Sequence, residues 1–142
     1  MAVSLAITIQ TIRHDKHRYP TVGDYWKEGS CDFVQISSMG DRRHEFLVAI
    51  HELIEMFLTE QRGISEPNQI KPFDEWFEEN DLPGEPGDHP DAPYRREHRF
   101  AENIERQIAH ELGVDWNEYE KIVDALWHPV GKSNSESADN GS

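Results

Sequence analysis

Sulfur and positive charge are what this chain has least of. Cys31 is its only cysteine, which excludes an internal disulfide and fits a reducing compartment. Lys and Arg total 14 against 28 Asp and Glu in 142 residues, a formal net charge of −14. That balance argues against gripping a phosphate backbone, which needs basic surface and counterion release. A strongly acidic chain could instead imitate nucleic acid and occupy a DNA-binding partner; the plainer reading is a soluble, self-repelling surface. No apolar run approaches the roughly 18 residues that suggest a membrane span. The N-terminus has neither the basic region nor the cleavage site of a signal peptide. The expectation is a cytosolic protein away from membranes.

What is present reads as β first, then α. The length suits one domain, expected over residues 1–130, with residues 131–142 (KSNSESADNGS after Gly131) as a disordered tail. Val3 to Ile9 alternates large apolar residues with small or polar ones, the period of a half-buried strand. Thr21 to Lys27 and Asp32 to Ser38 predict two more strands around the turn signal Glu28-Gly29-Ser30, giving a small antiparallel sheet. Asp41 is placed to cap a helix that runs to Arg62 and stops at Gly63. Pro72 opens a short helix with Phe73, Trp76 and Phe77. Residues 81–93 (DLPGEPGDHPDAP) form a loop, Asp91 could cap a second long helix from about Pro93 to Leu112, and Asp115 with Glu118 caps a last one to about Trp127. The fold class is α+β: a small N-terminal sheet, two long helices, and one or two shorter ones.

The chemistry concentrates on the two long helices. His51 and Glu55 are four residues apart and share one face, with Glu52 between them on a neighbouring face. In helical projection Phe46, Leu47, Ile50, Leu53, Ile54, Phe57 and Leu58 fill one broad arc, with His51 at its edge and Glu55 just beyond. On the second helix Tyr94, Ala101, Ile104, Ile108, Ala109 and Leu112 make an apolar stripe. His98 and Glu105 fall inside that stripe and Glu102 lies at its border. A carboxylate on a buried face is costly unless it is paired or binds a metal. His51, Glu55, His98 and Glu105, with Glu102 as a further candidate, would therefore meet around one zinc, iron or manganese ion. A metal-free polar cluster, with His51 hydrogen-bonded to Glu105 or Glu55, is the competing reading. The loop at 81–93, carrying Asp88, His89 and Asp91, would overhang the site or serve as a plain connector.

The stretch EFLVAIHELIE resembles the active-site helix of zincin metallopeptidases, whose motif is HExxH. The resemblance implies a minimal zincin-like layout, with His51 as first metal ligand and Glu52 as general base. Glu55 stands where the second histidine belongs, and a carboxylate there makes the site harder, favouring iron or manganese over zinc. The blocks EFLVAIHELIE, GDHPDAPYRREHRFAENIE and AHELGVDWNEYE are similar to those of small proteins encoded by bacteriophages and prophages, which implies a bacterial or phage setting without assigning an activity.

Three functions follow as expectations. A metal-dependent hydrolase would use Glu52 to take a proton from water. A non-enzymatic protein would use its acidic surface or its aromatics to bind a partner, with the cluster merely fastening two helices. Glu52-x-x-Glu55 and Glu102-x-x-Glu105 also resemble the paired helices with which all-α nucleotide pyrophosphohydrolases hold magnesium, though two histidines suit that ion poorly.

Overall fold

Gly29, at φ +61°, is the first of two residues linking a pair of strands, the arrangement of a tight II′ hairpin. The computed structural model describes residues 5–128. It places β2 at Gly23–Glu28 and β3 at Cys31–Ser37, antiparallel from Glu28↔Cys31 to Gly23↔Ile36. β1, at Ile7–Ile12, lies on the other side of β3 and pairs with it in parallel, from Ile7↔Asp32 to Ile12↔Ser37. The sheet is therefore mixed, in the order β1-β3-β2, and not wholly antiparallel. Residues 13–22 carry the chain back past the end of β1, so that β3 is inserted between its two predecessors. Alternation of apolar residues is the same for either direction of pairing and could not reveal this.

Four helices follow. α1 spans Arg42–Gln61, with the Asp41 carboxylate accepting from the Arg43 N–H at its start and Gly63 at φ +71° after its end. A single π turn at Glu66–Ile70 leads into α2, Lys71–Glu79. α3 spans Arg95–Glu111 and α4 spans Trp116–Trp127, the latter capped by Asp115, which accepts from the Glu118 N–H. Asp91 does not cap α3; Tyr94 occupies the cap position without a side-chain hydrogen bond. The tail expected at 131–142 and the start of the first predicted strand, Val3 and Ser4, lie outside the described residues.

Val22, Tyr25, Val34 and Ile36 of the sheet side pack with Leu47, Val48 and Met56 of α1 to form the core. α3 runs antiparallel to α1 along its other flank. Its first turn is tied to the end of α1 by Arg62 and the buried Glu97, 2.7 Å apart. α1 is thus covered from two sides, and its buried face is Leu47, Val48, Ala49, His51, Glu55, Met56 and Thr59. Phe46 and Phe57, expected within the apolar arc, are exposed at 48% and 44%. Among the described residues no helix is long and apolar enough to cross a membrane.

Candidate metal centre

The polar residues of the buried α1 face meet those of α3. His51, Glu55 and His98 each keep under a tenth of their surface. His51 Nε2 lies 3.1 Å from Glu55 Oε2 and 3.0 Å from His98 Nδ1, and His98 Nδ1 lies 3.0 Å from Glu55 Oε2. Three basic atoms thus form a nearly equilateral triangle. Metal–ligand bonds of about 2.0–2.2 Å imply neighbouring ligands about 2.9–3.4 Å apart, so an ion could cap this triangle.

The remaining atoms of the cluster are held from behind. His51 Nδ1 donates to Glu105 Oε1 at 2.7 Å, and the Tyr119 hydroxyl donates to Glu105 Oε2. The Tyr25 hydroxyl donates to Glu55 Oε1 at 3.0 Å, which turns Oε2 toward the imidazoles. On the far side of His98, Nε2 faces Asp88 Oδ1 at 3.3 Å and Glu85 Oε2 at 3.4 Å. With a proton on His51 Nδ1 and on His98 Nε2, both rings are neutral and three lone pairs converge on one point. Like lone pairs at 3 Å repel, so the point calls for a cation, whether proton or metal.

The titration behaviour says the same. Burial lowers the His51 pKa, but the hydrogen bonds to Glu105 and Glu55 outweigh it and hold the ring well above the usual histidine range. Burial is likewise outweighed at His98, by Asp88, Glu55 and Glu85, and its pKa also rises well above the ordinary value. Burial raises Glu55, yet the two imidazoles bring its carboxyl down to about 2.

Of the predicted ligands, then, His51, Glu55 and His98 are brought together, and among the described residues they form one of two His/carboxylate groups close enough to share an ion. Glu105 orients His51 and does not join that group. Glu102 lines a neighbouring groove with Glu85 and Asp88, and its carboxyl is raised by burial and then by those two charges.

Glu52, predicted to face the polar side of its helix, turns into the site. It lines the same cavity as the triad, about 60 Å³, which has room for an ion and a small number of waters at about 10–15 Å³ each. Burial first, then Glu55, holds its carboxyl well above the ordinary range. Two glycines make room for this arrangement. A Cβ at Gly23 would lie 2.6 Å from Glu52 Oε1, and a Cβ at Gly87 would lie 2.3 Å from the His98 ring. Gly87 belongs to a 3-10 turn, Pro86–Asp88, so the 81–93 segment covers the site instead of merely joining helices.

Sequence reasoning missed Tyr25 and Tyr119, since neither lies in a motif with the groups it holds. His14 and His17 both contact the fully buried Ser37 hydroxyl, at 2.8 and 2.9 Å. No family model, curated protein or solved structure matches this chain.

Proposed function

We propose that this chain is a metal-binding protein of a reducing cytosol, in which His51, Glu55 and His98 hold one divalent zinc, iron or manganese ion. The supporting observation is the triangle of three lone pairs at 3.0–3.1 Å, backed by a carboxylate on the outer nitrogen of His51. Such outer carboxylates are the usual companions of metal-bound imidazoles, because they fix the tautomer and strengthen the donor. Two imidazoles and one carboxylate suit a borderline transition ion better than magnesium.

The proposed activity is hydrolysis, in keeping with the zincin-like helix. Three protein ligands would leave a coordination position for water, and the ion would supply the acidity that makes that water a nucleophile. Glu52 lines the same cavity and is the candidate to accept the proton. The substrate would reach the cavity beside the Glu85–Asp88 turn. The magnesium nucleotide reading finds less support, because Glu102 lines the adjoining groove and not the cavity of Glu52, Glu55 and Glu105. A non-enzymatic role for the ion, fastening α1 to α3, rests on the same triad and is separated from hydrolysis by Glu52.

The test is elemental analysis of protein purified without a histidine tag or chelator. At least one equivalent of a transition metal, with one equivalent lost in His51→Ala and in Glu55→Gln, supports the centre. Glu52→Gln should keep the metal and lose any hydrolytic activity found by screening. A triad variant that retains full metal content refutes the proposed ligand set.

A further inference from the structure

His98 presents a second nitrogen that the triad does not use. Nε2 is buried and has no hydrogen-bond partner, although the residue is only 5% exposed. Glu85 Oε2 and Asp88 Oδ1 flank it at 3.4 and 3.3 Å without meeting hydrogen-bond geometry. A buried ring nitrogen without a partner is costly, so this one calls for a ligand.

We propose that His98 Nε2, Glu85 and Asp88 form a second divalent-cation site, so that one imidazole joins two metal positions. The three donor atoms lie within 4.8 Å of one another. The nitrogen–oxygen separations match the roughly 3.3 Å edge of a tetrahedron with bonds of about 2.0–2.1 Å. The oxygens are thus poorly aligned to accept the ring proton and spaced as neighbouring ligands of one ion. One nitrogen and two carboxylates suit zinc or manganese.

Access and charge favour the same position. Glu85 and Asp88 line a groove of about 620 Å³, together with Glu102 and Glu105. Among the described residues its only basic lining residue is Lys121, against six acidic ones, so the groove attracts cations. Glu85 and Glu105 also line the smaller cavity of the triad, which makes the two positions neighbours on one path. An ion arriving at Nε2 displaces the ring proton, which leaves to solvent, and with both positions filled His98 is a bridging imidazolate. Gly87 allows the Glu85–Asp88 turn to lie flat against the ring, since any Cβ there would collide with it.

The inference rests on the triad reading only in sharing His98, and the variants separate the two. Full-length protein is stripped with chelator and titrated with zinc by calorimetry, with bound metal counted by elemental analysis. Two equivalents are expected for the natural chain and one for the Glu85→Gln/Asp88→Asn double variant. Glu55→Gln should keep the equivalent that the double variant loses, weaken the other at least tenfold, and His98→Ala should lose both. A double variant that binds zinc with the stoichiometry and affinity of the natural chain overturns the second site; its carboxylates then only hold the His98 proton. If Glu55→Gln and His51→Ala bind as the natural chain does, the triad fails while the second site stands. Circular dichroism of each variant checks that the fold is kept.

Discussion

A methyl group at position 87 has no free space, because its Cβ would come within 2.3–2.8 Å of three atoms of the His98 side chain. That ring is pinned through Nδ1 by Glu55 and His51, so it cannot yield. Gly87→Ala should therefore displace the turn, destabilise the fold by about 1–3 kcal/mol, as overpacking does, and abolish metal binding. Position 23 gives the useful contrast. The atoms that a Cβ would meet there are the far end of the Glu52 side chain, which can swing away. Gly23→Ala should cost little stability and keep the metal, but lose activity by moving the carboxylate, as denaturation and metal content on one sample would show. Asp74 supplies a pH signature away from the triad. Burial pushes its carboxyl from 3.8 up to about 7, against the hydrogen bond it accepts from the Tyr94 hydroxyl. Folded Asp74 keeps its proton up to about pH 7, whereas the unfolded chain releases it near pH 4. Between those values the native state binds more protons, so stability falls as pH rises. At about 1.4 kcal/mol per unit the loss reaches roughly 4 kcal/mol by pH 8. Asp74→Asn cannot ionise, so urea midpoints at pH 5 and pH 8 should differ less in the variant than in the natural chain. An equal difference in both would assign the slope to other groups, of which Glu52 is the nearest candidate.

Helix boundaries were legible where a side chain makes the cap, and uncertain where none does. Asp41 and Asp115 accept from backbone N–H groups two and three residues on, as their positions before apolar-periodic segments predict. Asp91 had the same residue type and position, yet the chain turns again at His89–Ala92 and α3 begins without a side-chain cap. Asp41→Ala should accordingly cost about 1 kcal/mol, and Asp91→Ala should stay within about 0.5 kcal/mol, by chemical denaturation. The face of α1 was the larger misreading. Apolar residues alone put Phe46 and Phe57 within the buried arc, whereas the packed face is centred on His51, Glu55 and Thr59. Periodicity weighs polar residues as outward-facing, and these three are buried because partners on β2 and α3, or a backbone carbonyl, satisfy them. The i, i+4 spacing made two of the three triad members legible within one helix, and His98 followed from its place in an apolar stripe. The Tyr25 clamp and the inward turn of Glu52 depend on the sheet lying over α1, and the Tyr119 clamp depends on α4 lying against α3. Local sequence carries no record of that approach.

At the scale of the whole molecule, charge and metal pull in opposite directions. A net charge of −14 means the fold carries self-repulsion, which salt screens at the surface over about 8–10 Å. The triad joins α1 to α3, and its ligands are buried, so an ion there binds only the folded chain. Free zinc at about 100 times its dissociation constant should then add about 2.7 kcal/mol of stability. For a domain of this size that is roughly a 10 °C rise in melting temperature. Zinc caught by scattered surface carboxylates would also stabilise so acidic a protein, by relieving the same repulsion, and salt tells the two apart. Raising NaCl from 0.05 to about 0.5 M should increase the melting temperature of the metal-free protein and leave most of the zinc-induced shift intact, because buried ligands are weakly screened. His51→Ala should respond to salt as the natural chain does and keep at 0.5 M NaCl only the part of the zinc shift that the Glu85 and Asp88 position supplies. A zinc shift that salt abolishes in the natural chain would mean that surface charge, and not the junction of the two helices, is what the ion stabilises.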